Sequence, residues 1–175
     1  MRLELKKGAG SNYKNVWAEP VDHGLGHSRG GWSTKSHVAV DGAGHLRSVI
    51  VTPGQTGENP LLLDVLDLIG VKPAMVMADK AYSHPSTRMA LRARHIKATI
   101  PQRSDQIAFR LAKGRRGGRP PDFDPVIYKG RNVVERFFNR IKEFRAIATR
   151  YDKHARNYRA GIVLAGIITW LRDTL

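Results

Sequence analysis

Two stretches of the 175-residue sequence bring polar groups to spacings that could do chemistry. The first is Ala74-Met-Val-Met-Ala78, a fully apolar run that ends in Asp79-Lys80. Such a run between two helical patterns reads as a buried parallel strand. In open α/β sheets, ligands are held at the carboxyl ends of strands, so Asp79 would present a carboxylate at a fixed height above a rigid element. The plainer reading is that Asp79 caps the helix that follows. The second stretch runs from Tyr128 to Lys142. On a helix with Glu135 at zero, Lys142 falls at about −20°, Arg131 at about −40° and Asn139 at about +40°. Val133, Val134, Phe137, Ile141 and Phe144 take the opposite arc, with Phe138 at its edge. One face then packs on a sheet and Arg131, Glu135 and Lys142 form a polar stripe beside it. A solvated face with ordinary i,i+4 ion pairs has the same pattern.

The elements that must position these residues can be read in order. Residues 1–33 show no sustained period and read as irregular, apart from a short strand at residues 2–5. Lys35-Ser-His-Val-Ala-Val40, the turn Asp41-Gly-Ala-Gly44 and residues 46–52 predict a hairpin. A helix starts with Asn59 as cap and Pro60 at its first position, carries Leu61, Val65, Leu68 and Ile69, and ends at Gly70. The apolar run at 74–78 follows, then a helix over 85–95 with Met89, Leu91 and Ala93 as its apolar positions, then a strand over 96–100. Residues 102–127 are expected as a basic loop, because Lys113-Gly-Arg-Arg-Gly-Gly-Arg-Pro-Pro121 offers little to bury. Helices over 130–147 and 155–173 close the chain, and there is no internal repeat. A hairpin followed by alternating helices and strands predicts an α/β mixed sheet covered by helices, in one domain over 34–175.

Composition narrows the partners. Thirty Lys and Arg against fifteen Asp and Glu give a formal charge of +15, which points to a polyanion. Residues 1–101 carry net +5 and residues 102–175 net +10, so the C-terminal part is the expected nucleic-acid face. There is no cysteine, which excludes disulfides and thiolate metal sites. No apolar stretch is long enough to span a bilayer, and the start lacks a secretory signal. The expectation is a cytoplasmic, nucleoid-associated protein without a membrane.

The spacing Tyr-x2-Arg-x3-Glu-x6-Lys, met by Tyr128, Arg131, Glu135 and Lys142, resembles the signature around the third catalytic carboxylate of bacterial insertion-sequence DDE transposases. Other stretches resemble the "IS-five" group of that family: His27-Ser-Arg-Gly-Gly-Trp-Ser-Thr-Lys35, Thr52-Pro-Gly-Gln55, Ala78-Asp-Lys-Ala-Tyr82 and Thr149-Arg-Tyr-Asp-Lys153. Arg-Gly-Gly-Arg-Pro-Pro before the tyrosine and the closing apolar helix also match. The resemblance covers about residues 22–173.

The resemblance implies a ribonuclease H-like fold whose Asp-Asp-Glu triad holds two divalent ions, Mg²⁺ or Mn²⁺. Carboxylates suit hard cations, and such ions can activate a nucleophile and stabilise the departing oxygen at a phosphodiester. By this match Asp79 is the second acid and Glu135 the third. Tyr128, Arg131, Lys142 and Lys80 would position DNA or phosphate, and Arg115, Arg116 and Arg119 would bind DNA from the basic loop. The partners implied are transposon ends and target DNA, with a homo-oligomer allowed.

The family's first Asp has no counterpart here. The acids before the hairpin are Glu4, Glu19 and Asp22; Asp22 belongs to the loop leading into the Ser-Arg-Gly-Gly match, and the residues around Glu4 do not match. The resemblance therefore implies a catalytic domain lacking its first strand, as a truncated copy or as the downstream product of a split reading frame that needs an upstream polypeptide. The sheet edge beside residues 35–40 would then be open. Alone, such a chain is expected to be inactive. The competing readings are a non-catalytic DNA- or RNA-binding protein and a ribonuclease H-like nuclease that cuts without strand transfer.

Overall fold

A computed structural model describes residues 22–174. The strand expected at residues 2–5 lies outside them. Three antiparallel strands open the described chain: β1 (Gly26–Ser28), β2 (Gly31–Val40) and β3 (Leu46–Pro53), in that spatial order. β2 and β3 form the expected hairpin, with Val38 opposite Val49. Its turn is tied by Asp41, whose Oδ1 accepts from the Ala43 and His45 amides at 3.0 Å.

Strand pairing begins earlier than the sequence suggests. Residues 26–33, expected as irregular, pair Ser28 with Gly31 across the two-residue turn Arg29-Gly30. A three-residue strand is too short to show alternation, and what fixes it is long-range. Gly54 packs on Ser33, where a Cβ would meet the Ser33 hydroxyl at 2.0 Å and its carbonyl at 3.0 Å. The Ser-Arg-Gly-Gly and Thr-Pro-Gly-Gln stretches are thus one packed unit.

Helix α1 (Leu61–Asp67) buries Leu62, Val65 and Leu66. Pro60, not Asn59, holds its cap position; the Asn59 side chain instead accepts from the Thr87 hydroxyl at 2.7 Å. Leu68 lies past the helix and is exposed. Strand β4 (Met75–Met77) pairs in parallel with β5 (Lys97–Thr99), Val76 opposite Ala98. Helix α2 (Pro85–Ala93) makes the crossover, burying Leu91 completely while Met89 faces solvent.

The stretch expected as a basic loop, 102–127, is largely helical. It holds α3 (Ser104–Ala112), a 3₁₀ turn (Gly114–Gly117) and α4 (Pro125–Tyr128). α3 buries no residue, so burial did not betray it. Gln106 holds it at both ranges: the Arg103 amide donates to Gln106 Oε1 at 3.2 Å, and Gln106 Nε2 donates to the Ser83 carbonyl, 23 residues away, at 3.3 Å. The helix expected over 130–147 is divided. After α5 (Asn132–Lys142), Phe144 turns extended and starts the short α6 (Arg145–Ala148). Helix α7 (Ala155–Thr174) closes the described chain.

Two cores result. Leu62, Leu66, Val76, Ala78, Leu91, Ile96 and Ile100 form one, around β4 and β5. Val49, Phe137, Ile141, Ile147, Ile162 and Ala165 form the other, where α5, α6 and α7 cover the hairpin. Neighbouring strand residues point to opposite faces. Val49 faces α5 and α7, and the Ser48 hydroxyl donates to the Val65 carbonyl of α1 at 2.7 Å. The hairpin is therefore covered on one face by α5 and α7 and on the other by α1.

Candidate active site between the two sheets

The two sheets share no strand pairing among the described residues. Between them lies a cleft of about 730 Å³. Residues 35–42 of β2 and its turn line one side, and residues 73–79 of β4 and its flanks line the other. Leu62, Val65 and Leu66 of α1, with Val133, Val134 and Phe138 of α5, supply its apolar walls.

Asp79 borders this cleft where β4 ends. It also caps the 3₁₀ turn Lys80–Tyr82, its Oδ1 accepting from the Ala81 amide at 2.9 Å. Of the two readings from sequence, the capping one is met, at this 3₁₀ turn rather than at α2, which His84 caps. Capping uses one oxygen and holds the carboxylate in place.

The start of α5 reaches the same end of β4. A Cβ on Gly130 would touch the Met77 thioether sulfur at 3.6 Å, and Arg131 lines the cleft with Asp79. Asp124 caps α4 through the Val126 and Ile127 amides, at 2.8 and 3.0 Å. This places Tyr128 against Phe123, with ring centroids 5.3 Å apart. The Arg131 guanidinium stands 5.8 Å from the Tyr128 ring centre and bonds Glu135 Oε1 at 2.5 Å. Tyr128, Arg131 and Glu135 thus form one relay along the helix start. Glu135 is more than half exposed and does not itself line the cleft.

Of the remaining expected residues, Lys80 follows Asp79 at this end, and the others lie apart from it. Lys142 borders a separate cavity of about 320 Å³ with Ser36, Phe138, Ile141 and Tyr158. Lys80 is exposed. Arg115 and Arg116 sit on the 3₁₀ turn after α3 and Arg119 just beyond it, all exposed.

Three residues of the site were given no role from sequence. Lys35 bonds Glu58 at 3.0 Å at the cleft, and Tyr82 lines the cleft with them. Burial, followed by the charges of Glu58 and Asp79, pushes the Tyr82 phenol far above its ordinary range. Lys35 and Tyr82 end two of the stretches singled out by resemblance, which was a usable signal. Glu58, in a connecting loop, gave none. Arg150, in another such stretch, proves to be a structural tie. It donates to the His23 carbonyl and the Thr34 hydroxyl, and to the Asp152 and Lys153 carbonyls at 2.9 and 3.2 Å.

A divalent ion needs several hard oxygen ligands. Among the described residues no group of three His, Asp or Glu side chains stands where it could hold one. One oxygen of Asp79 is engaged by a backbone amide and one of Glu135 by Arg131. The described residues by themselves do not fit a metal ion. No described helix is long and apolar enough to cross a membrane.

Comparison with known proteins agrees with the sequence resemblance. The family described as "Transposase DDE domain" matches residues 16–170. A Brucella ovis protein named "Putative transposase for insertion sequence element IS6501" is 34% identical over 141 residues, covering 80% of this chain and 99% of that protein. No solved structure matches. A DDE domain implies a ribonuclease H-like fold, with which the mixed α/β architecture is compatible. The chain belongs to the DDE transposase family of insertion sequences.

Proposed function

We propose that this chain is the catalytic part of an insertion-sequence transposase that cleaves and joins DNA strands, with Asp79 and Glu135 as two of its three acidic residues. What supports this reading is a single arrangement: Asp79, at the end of β4, borders the same cleft as Arg131, which holds Glu135. Mg²⁺ or Mn²⁺ binding then requires a third carboxylate from outside the described residues. The family's first Asp would be that group. Tyr128, Arg131, Lys142 and Lys80 contact phosphate. Arg131 does so as a planar fork already oriented by Glu135. Arg115, Arg116 and Arg119 hold the DNA backbone nearby.

Titration with Mn²⁺, followed by electron paramagnetic resonance, tests the metal part. The chain alone binds Mn²⁺ weakly. Adding the upstream polypeptide tightens binding, and Asp79→Asn or Glu135→Gln reverses the gain. Equal binding by the wild type and both variants in the complemented state removes these two residues from the site. A complemented pair that never binds Mn²⁺ leaves DNA binding as the chain's remaining property.

A further inference from the structure

We propose that the tip of the β1–β2 hairpin, from His27 to Trp32, is a DNA contact that lies against the sugar-phosphate backbone beside the cleft. The tip is stiff. The Ser28 hydroxyl donates to the Gly31 carbonyl at 3.0 Å, and the Ser33 hydroxyl donates to that of Ser28 at 2.9 Å. At its base Gly26 packs on Pro53 and Gln55, and the Gly54 amide donates to the Ser33 carbonyl at 3.0 Å. These ties fix the backbone and leave the end of the hairpin open. His27, Arg29 and Gly30 are exposed, and Trp32 is 51% exposed. The His27 and Trp32 rings meet edge to face, with centroids 5.8 Å apart.

Charge, shape and Gly30 specify the ligand. Residues 23–40 contain no Asp or Glu, while Arg29 and Lys35 are cations, so the field at the tip attracts a polyanion. An indole beside a guanidinium offers a flat face to a sugar or base and a fork of donors to the adjoining phosphate. Gly30 does not lie in the left-handed region, and a Cβ on it would meet nothing within 4 Å. Neither strain nor packing among the described residues calls for glycine there. Close approach of a ligand to the backbone does. The tip also adjoins the cleft. Trp32 is three residues from Lys35 along β2, about 10 Å of extended strand, and Lys35 lines the cleft with Asp79. That span is about three phosphates of one DNA strand. DNA as the partner rests on the proposed function; the stiffness and exposure of the tip do not.

The test uses the full chain, a fluorescein-labelled DNA duplex and no metal ion, so an inability to cleave does not touch the readout. Anisotropy gives the affinity over a range of salt. Trp32→Ala should weaken binding at least about fivefold at every salt concentration and leave the slope unchanged, because the lost group is uncharged. Arg29→Met should reduce the slope of log affinity against log salt by about one. Gly30→Ala should keep the parent Tm and still weaken binding severalfold. In the chain carrying ¹⁵N-tryptophan, DNA should shift or broaden the Trp32 indole signal and leave that of Trp170 in place. Trp32→Phe assigns the signal by its loss. Parent-like affinity in both Trp32→Ala and Gly30→Ala, or a Trp32 signal that DNA does not move, would overturn the proposal and leave the transposase reading standing. Affinity lost only together with Tm would make the tip purely structural. A Trp32 signal that moves with protein concentration alone would assign the tip to a second copy. Absence of any DNA binding by the parent chain would overturn both readings.

Discussion

Arg131 bonds Glu135 at 2.5 Å across one turn at the start of α5 while lining the cleft that Asp79 also borders. An exposed i,i+4 pair of this kind contributes less than about 1 kcal/mol to stability. Its value is positional, because it sets where the Glu135 carboxylate stands. Arg131→Met should therefore shift unfolding free energy by less than about 1 kcal/mol and still lower DNA nicking by the complemented protein more than tenfold, about 1.4 kcal/mol of barrier. Denaturant titration and a plasmid-nicking assay measure the two effects. Large destabilisation with unimpaired nicking would make Arg131 a purely structural residue.

The pH dependence of stability should carry the signature of His37. Its side chain is buried, with Nε2 2.9 Å from the Thr52 hydroxyl. Burial, then the Lys35 ammonium, hold its pKa below the ordinary 6.5, with Glu58 opposing. The unfolded chain thus takes up this proton at a higher pH than the folded one. The contribution of His37 is complete above pH 6.5 and is lost as pH falls from there through the folded-state pKa. Chemical denaturation between pH 5 and 8 should show stability rising with pH, and His37→Gln should flatten that rise. A steeper rise in the variant would contradict the assignment.

How much of this was legible in the sequence depended on the range of the forces involved. The hairpin and the apolar face of α5 follow from periodicity and β4 from an unbroken apolar run just before Asp79, and Phe137 and Ile141 are each 1% exposed. β1 escaped notice because three residues show no alternation, and Gly26 packs on Pro53 and Gln55, more than twenty residues away. α3 escaped because capping at Gln106, not burial, holds it. Asp79 and Arg131, which border the cleft, stand in stretches that the sequence singled out, whereas Glu58 reaches the cleft from a loop without a pattern.

Gly166 marks the closest approach of α7 to β3. A Cβ there would lie 2.8 Å from Leu46 Cδ2 and 2.9 Å from Leu46 Cβ. Replacing Gly by Ala in a helix gains about 1 kcal/mol of propensity, but overpacking costs about 1–3 kcal/mol. The clash should win, because it involves Leu46 Cβ as well as the flexible end. Gly166→Ala is expected to lower Tm by about 2–4 °C, read by calorimetry. A raised Tm would show that the helix can move away from the hairpin.

DNA binding should depend strongly on salt. Arg115, Arg116 and Arg119 are exposed beside a helix that presents Phe109 and Leu111 to solvent. Replacing all three by alanine should reduce the slope of log affinity against log salt by about two to three, measured by fluorescence anisotropy. An unchanged slope would place these residues off the phosphates.

Strand cleavage tests the central assignment most directly. The substrate is inverted-repeat DNA, incubated with Mg²⁺ or Mn²⁺, the chain and an upstream transposase polypeptide. Asn at position 79 retains an oxygen that can cap the Ala81 amide, so Asp79→Asn should leave Tm nearly unchanged. The predicted result is metal-dependent nicking by the complemented protein, abolished by both Asp79→Asn and Glu135→Gln while each variant stays folded. Nicking by the chain alone that survives Asp79→Asn would contradict the account.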